Sequence, residues 1–382
     1  MVCRPNWCHK NFGKMPDVRK LLVQEGICWS VAWNGSGSAL ASSGQDRKIY
    51  ISAFSEAGEF IPRVSWVSRD IHNRTVRRVS WRPDGKAIAA VSFDSTISVW
   101  RVHDDFSLEL ITKLSGQENE VKGVCFSPCG EMLATSSRDK SIWIYDVSIL
   151  LNATGAVAAD EIECLSVLSG HSQDVKSVKF HPCDSHMMVS VSYDDTVKIW
   201  RSTCADDWEL SETLRGHSGT VWDVAFEPNR GSEFATVSAD GSMRIWTSNR
   251  ARTYSSIPTG SLYLLTGPFK GINHGNPLET VSNAIGWSCQ TIQLTSSLIE
   301  SVPPAPVYAV DWSMTTGLIA TACGDNTVKV FARRGLSTFP VTTVKMEAEP
   351  NSVSFHPNGT DLAVGLDNGV VCIFSISKEF LE

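Results

Sequence analysis

Residues Gly170–Trp200, GHSQDVKSVKF…VSVSYDDTVKIW, and Gly216–Trp246, GHSGTVWDVAF…ATVSADGSMRIW, carry one pattern twice. In each copy a His precedes an Asp by 23 positions (171 to 194, 217 to 240), and that Asp precedes a Trp by 6. The copies begin 46 residues apart, the length of one four-stranded β-propeller blade. A blade buries both faces of its sheet, so a polar group inside it has to be hydrogen-bonded. His171, Ser190, Asp194 and Trp200 make such a chain: indole N–H to Ser, Ser to imidazole, imidazole N–H to carboxylate. His217, Thr236, Asp240 and Trp246 repeat it. A catalytic Ser/His/Asp reading is set aside, because the nucleophile would lie buried at the same place in two blades.

Working outward, the most regular mark is a turn Asp followed by apolar residues at +3 and +5, then an aromatic or Ile at +6. Asp94 has Ile97, Val99 and Trp100; Asp139 has Ile142, Ile144 and Tyr145; Asp325 has Val328, Val330 and Phe331. Asp46 and Asp367 give weaker versions, and with Asp194 and Asp240 the count is seven. Alternation of this kind describes a half-buried strand leaving a tight turn. Ahead of each turn stands a V-x-[WF] strand, at Val31–Trp33, Val79–Trp81, Val124–Phe126, Val178–Phe180, Val224–Phe226, Val310–Trp312 and Val353–Phe355. The expected fold is therefore all-β, a seven-bladed propeller over residues 18–382. Outer strands are expected at Phe106–Leu114 and Trp208–Leu214, each behind a solvated acidic pair. LNATGAVAADEIE, residues 151–163, reads as a surface loop, and 249–301 as a long insertion holding one outer strand. The last repeat stops at its third strand near Phe374, so Val18–Gln24 is expected to complete it, removing an open edge.

Composition sets further bounds. The 382 residues are 42% apolar and 20% charged, with a net charge of −7, which argues against nucleic acid or an anionic membrane as partner. No apolar run approaches a membrane span, and residues 1–17 lack a signal-peptide core and read as a disordered tail. Eleven cysteines without a secretory signal read as reduced thiols. Cys3, Cys8 and His9 lie close together but lack a fourth ligand at usual spacing, so no metal or cofactor is expected. No Gly-rich phosphate loop, HExxH or paired channel carboxylates appear, and the chain does not read as an enzyme.

Propellers bind at one end of the central channel, where two positions per blade are expected to point. One lies two residues before the Val of V-x-[WF]: Trp29, Arg77, Lys122, Lys176, Trp222, Tyr308 and Asn351. The other precedes the turn Asp: Gln45, Phe93, Arg138, Tyr193, Ala239, Gly324 and Leu366. Blades two to four thus bring Arg77, Lys122, Arg138 and Lys176 to one sector, flanked by Phe93, Tyr193, Trp222, Tyr308 and Trp29. Four cations facing each other call for an anion. An acidic peptide with an aromatic side chain and a free carboxylate would supply one.

The runs TVRRVSWRPDGKAIAAVSFDSTISVW, ENEVKGVCFSPCGEMLATSSRDKSIWIYDV and SQDVKSVKFHP with VSYDDTVKIW, along with TGLIATACGDNTVKVF, are more specific than a general propeller pattern. From Gly26 to about Phe331 the chain resembles the WD40 subunit of the cytosolic iron–sulfur protein assembly targeting complex. Residues 1–17, the 249–301 insertion and the last blade depart from it. The resemblance implies a cytoplasmic adaptor, with clients extending to the nucleus. It would dock with a small bridging protein, a HEAT-repeat scaffold and a hydrogenase-like iron–sulfur carrier, and help deliver clusters to apoproteins. It also carries a functional surface arginine, in SRDKS, onto Arg138, and implies recognition of client C-termini ending in an aromatic residue. The competing class is a generic WD40 scaffold, such as a ubiquitin-ligase substrate receptor.

Overall fold

The structure, a computed structural model, describes residues 18–54, 63–66, 71–151, 157–204, 206–249, 286–295 and 303–377. The strands form seven four-stranded antiparallel sheets, each running outward from a central channel. The innermost strands are Cys28–Trp33, Val76–Trp81, Val121–Phe126, Val175–His181, Val221–Phe226, Val307–Trp312 and Pro350–Phe355, and they define blades one to seven. Each contains one of the V-x-[WF] runs.

Apolar side chains are spent on the faces between blades. Seven buried clusters bridge the seven neighbouring pairs. Ile49 and Ile51 of blade one meet Val79 and Trp81 of blade two, for example. Cys28, Val31 and Leu40 of blade one meet Ala363, Val371 and Ile373 of blade seven. Second strands, close to the axis where blades converge, are largely buried and rich in small residues, as in Ala39–Gly44 and Ala87–Ser92. Third strands carry the larger Ile, Val and Trp that fill the widening wedge.

Closure uses the N-terminal segment. Arg19–Val23 pairs with Val370–Ser375 of blade seven, Arg19 opposite Ile373 and Val23 opposite Val370. Gln24 then ties two blades: its N–H donates to Gly369 O at 2.8 Å, and its Nε2 to Ser42 Oγ of blade one at 2.6 Å.

Several boundaries differ from the sequence reading. The outer strand expected from Phe106 begins at Leu108, because Phe106 adopts φ +63°, a left-handed conformation that no strand accepts. Residues 151–163 are not simply a surface loop: Val157 and Ile162 are buried beside Ile111 and Val147 between blades two and three. Their spacing has no strand period, so only the packing reveals them. In blade seven the turn sits one residue later than expected. Asn368 Oδ1 accepts from Val370 N, as Asp194 Oδ1 does from Thr196 N, so Asn368 is the turn residue. Counted from Asn368, Val371, Ile373 and Phe374 fall at +3, +5 and +6. The 249–301 insertion contributes Trp287–Gln293 as the outer strand of blade five. Residues 250–285 and 296–301 of it, like residues 1–17, lie outside the described residues.

Deleting residues 1–24 is expected to cost about 3 kcal/mol or more, from the partly buried Leu21 and Leu22 and the Gln24 bonds. It should also expose the edge of Val370–Ser375 and promote self-association. Urea unfolding and gel filtration of the truncated chain check this, and an unchanged midpoint in a monomer would contradict the closure argument.

Candidate functional site

Every innermost strand carries a β-bulge at the same place. The ladder skips one residue between Cys28 and Ser30, Val76 and Arg78, Val121 and Gly123, and Val175 and Ser177. It does so again between Val221 and Asp223, Val307 and Ala309, and Pro350 and Ser352. The residues left over are Trp29, Arg77, Lys122, Lys176, Trp222, Tyr308 and Asn351. A bulge re-aims the extra side chain out of the pleat, and here all seven line one cavity of about 440 Å³ at the channel mouth. Phe93, Glu349 and Asp367 complete its wall.

The residues ahead of the turns do not converge in this way. Only Phe93 of that set reaches the cavity. Gln45 lies against Gly26 and accepts from Ile27 N at 3.2 Å. Leu366 is buried, since the shifted turn of blade seven hands its rim position to Asp367. Tyr193 and Arg138 stand on the rim, each more than half exposed.

The anion that the cations call for is partly supplied by the chain itself. Asp174 Oδ2 lies 2.6 Å from Lys122 Nζ and 3.3 Å from Lys176 Nζ. Glu120 Oε1 lies 2.7 Å from Arg74 Nη2, while its Oε2 is 3.6 Å from Lys122 Nζ and 3.5 Å from Arg138 Nη1. Burial favours the neutral form of both carboxylates. Hydrogen bonds and the surrounding cations outweigh that and hold both below the usual carboxylate range. Glu120, Asp174 and Glu349 each stand immediately before an innermost strand. That shared position was the available signal, and sequence reasoning passed over it together with Arg74.

The aromatic rings also hold cations of this chain. The Arg77 guanidinium lies 4.8 Å over the Trp29 ring and donates to Trp29 O at 3.3 Å. Burial, then the neighbouring Arg78 charge, lowers it to about 9. Lys176 Nζ sits between Tyr193 and Trp222, 5.1 and 4.9 Å from their ring centroids. Burial, then Lys122, lowers it to about 8. Trp222 meets Tyr308 edge-on at 5.6 Å, and its Nε1 is buried with no hydrogen-bond partner among the described residues.

Behind this mouth lie the polar chains of the blades. His171 Nδ1 is 2.9 Å from Asp194 Oδ2, and its Nε2 is 2.7 Å from Ser190 Oγ, which accepts from Trp200 Nε1 at 2.8 Å. In blade five His217 Nδ1 is 2.9 Å from Asp240 Oδ2 and its Nε2 is 2.8 Å from Thr236 Oγ1, which accepts from Trp246 Nε1 at 2.9 Å. Blade two holds a third version that the sequence reading missed. His72 Nε2 contacts Ser98 Oγ at 2.7 Å, and Trp100 Nε1 donates to the same hydroxyl at 2.8 Å. The hydroxyl has moved to the neighbouring strand, Ser98 lying directly opposite Ala90. Its signal was the interval of 22 from His72 to Asp94, one short of the other two.

The family model described as "WD domain, G-beta repeat" matches residues 18–51, 68–101, 108–146, 162–201 and 208–247. A second, described as "Anaphase-promoting complex subunit 4 WD40 domain", matches residues 310–381, and together they cover more than half of the chain. The chain belongs to the WD40-repeat family. It is 31% identical over 324 residues to "Probable cytosolic iron-sulfur protein assembly protein 1" of Chaetomium globosum, covering 68% of this chain and 66% of the relative. The protein of the same name from Kluyveromyces lactis is 40% identical over 136 residues, 34% of this chain and 39% of the relative. "Probable cytosolic iron-sulfur protein assembly protein CIAO1 homolog" of Caenorhabditis elegans is 38% identical over 121 residues, 31% of this chain and 35% of the relative. In each case the alignment spans less than two thirds of the relative's own length.

Among the described residues, no group of three or more His, Cys, Asp or Glu could hold a metal ion, and no helix is long and apolar enough to cross a membrane. Cys3, Cys8 and His9 lie outside the described residues.

The WD40 chains make stability depend on pH. Burial favours neutral Asp194 and Asp240, but bonds from His171 and His217 and from the turn hydroxyls win and depress both carboxyls. Burial also depresses His171 and His217, against the pull of their Asp partners. The unfolded chain therefore takes up protons first as pH falls through about 6.5, and then again near 4. Stability should drop below pH 6.5 by up to about 1.4 kcal/mol per histidine per pH unit. It should fall further as the Asp contribution, present above about pH 4, is lost toward the depressed folded values. Urea midpoints at pH 7.5, 6.5 and 5.5 read the first slope, and replacing both histidines by Gln should flatten it. Asp194→Ala orphans the imidazole and the Ser172 and Thr196 N–H groups. It should cost about 3–5 kcal/mol by the same assay.

Proposed function

We propose that this WD40 propeller is a non-catalytic adaptor in cytosolic iron–sulfur protein assembly. It holds acidic, aromatic-ended C-termini of client apoproteins against the rim of blades two to four. The names of its relatives support the pathway. Arg138 supports the mode. Its side chain is 53% exposed, and the carboxylate beside it, Glu120, stands 3.5 Å away. A direct charge-assisted bond is about 2.7–2.9 Å, so the Arg138 fork keeps donors available for a second carboxylate. Tyr193, exposed on the same rim, offers a ring face to the rest of a peptide.

In this role the chain chooses and holds the client. The partners expected from the resemblance, a small bridging protein, a HEAT-repeat scaffold and a hydrogenase-like carrier, bring the cluster. Cytosolic and nuclear apoproteins receive it. The net charge of −7 argues against nucleic acid as a partner.

Short fluorescent peptides ending in an acidic residue followed by Trp, as free acids and as amides, test the rim by anisotropy. The wild type should bind the free acid and discriminate against the amide. Arg138→Ala should keep its fold, since a rim substitution changes stability by about 0.5 kcal/mol or less. It should weaken the free acid by about tenfold or more, the equivalent of about 1.5–3 kcal/mol for a charged hydrogen bond. A folded wild type that treats acid and amide alike would sink the reading.

A further inference from the structure

Five cations crowd the rim and mouth of blades two to four, and their pairing is uneven. Lys122 and Lys176 share Asp174. Arg77 rests on Trp29. Arg74 is fixed twice, by Phe93 O at 2.6 Å through Nη1 and by Glu120 Oε1 at 2.7 Å through Nη2. Arg138 is left with the far oxygen of the same Glu120, at 3.5 Å. One carboxylate thus stands between two arginines that are each more than half exposed, bonded to the first and only near the second.

The backbone of Glu120 is pinned while its side chain has a choice. Its O accepts from Arg138 N at 2.9 Å, and the adjoining Asn119 O accepts from Ser137 Oγ at 3.2 Å. These bonds hold the loop against the turn that carries Arg138. A rotation of the Glu120 side chain that closed the 3.5 Å to Arg138 would leave these backbone bonds in place. Burial works against the charged form, but Arg74 and the other cations keep the carboxyl ionised. A permanent negative charge therefore faces whatever carboxylate approaches Arg138.

From this arrangement we infer that Glu120 is a built-in competitor for the Arg138 site, and that Arg74 restrains it. Glu120 lowers the affinity for an incoming peptide carboxylate, and Arg74 limits that cost by holding Glu120 to one side. The inference rests on the reading of Arg138 as the carboxylate anchor and adds the two residues that set its strength. It also gives a reason for a weak free-protein contact at Arg138: a closer one would block the site, and none would leave several cations uncompensated. Selectivity follows, because only a ligand whose own carboxylate reaches the guanidinium in bidentate fashion displaces the resident one.

The test uses the full chain and the same free-acid and amide peptides. Glu120→Gln keeps the shape and the backbone bonds and removes the charge. It should bind the free acid about fivefold or more tighter than wild type, with the amide little changed. Glu118→Gln removes a charge from an exposed position on the same loop and should change the free acid less than twofold. Arg74→Ala should weaken the free acid several-fold by releasing Glu120 onto Arg138, and Arg74→Ala with Glu120→Gln should recover it. Free-acid binding that is unchanged or weaker in Glu120→Gln, while wild type still prefers the acid and Arg138→Ala still loses it, overturns this inference and leaves the anchor standing. Equal tightening by Glu118→Gln also overturns it, since the effect would then be one of overall charge. If neither wild type nor Glu120→Gln distinguishes acid from amide, both the anchor and its competitor fall.

Discussion

A propeller is a ring, and a ring has no spare face. Each blade covers one flank of its neighbour, so the seven apolar interfaces hold only if the seventh meets the first. The cluster there is, among the described residues, the smallest, built on Cys28, Val31, Leu40, Ala363, Val371 and Ile373 with Leu21 and Leu22 packed against it. It is also the one made from the two ends of the chain. The pairing of Arg19–Val23 with Val370–Ser375 adds backbone bonds to this interface, and Gln24 continues the tie into blade one. Closure of this kind converts a string of marginal sheets into one cooperative unit and covers the edge that Val370–Ser375 would otherwise leave open.

Within that ring two devices do separate jobs. The His–Ser/Thr–Asp–Trp chains satisfy buried polar groups at fixed geometry, and the turn Asp accepts from the loop that enters the blade, as Asp194 does from Ser172 N at 2.9 Å. They hold the upper loops in register with the sheets. The bulges work on the opposite side of the same loops. By inserting one residue into every innermost strand they turn a side chain that would lie in a blade interface into the channel mouth. The fold thereby presents seven side chains on one ring at small cost, because the bulge sits at a strand end where the ladder is already ending.

What the ring presents is balanced more closely than a count of cations suggests. Asp174 serves two lysines, Glu120 serves Arg74 and stands near Lys122 and Arg138, and two indoles and a phenol lie against Arg77 and Lys176. Across the cavity Glu349 and Asp367 give the mouth a negative side. An undirected basic patch would attract any anion. On the proposed reading, a patch whose charges are mostly compensated, with one arginine fork left under-bonded, would favour a ligand that brings a carboxylate to one place.

The sequence by itself determined the blade number, the innermost strands, the use of residues 18–24 in closure and the seven mouth residues. Each of these repeats with the blade: the V-x-[WF] run, the turn residue and the His-to-Asp interval answer needs that every blade has alone, namely burial by alternation and a satisfied polar interior. Even the misplaced turn at Asp367 and the missed His72 chain were one-residue departures from a period, and a tolerant count would have found them. The tertiary structure decided the rest. Glu120 reaches Arg74 across an interval of 46 residues, and Asp174 reaches Lys122 across 52. Val157 and Ile162 find Ile111 in another sheet. These contacts join different blades through loops, where neither helical nor strand periodicity constrains the residue type. Which cation is neutralised and which stays available is set by the distance between loops, and that distance exists only once the ring has closed.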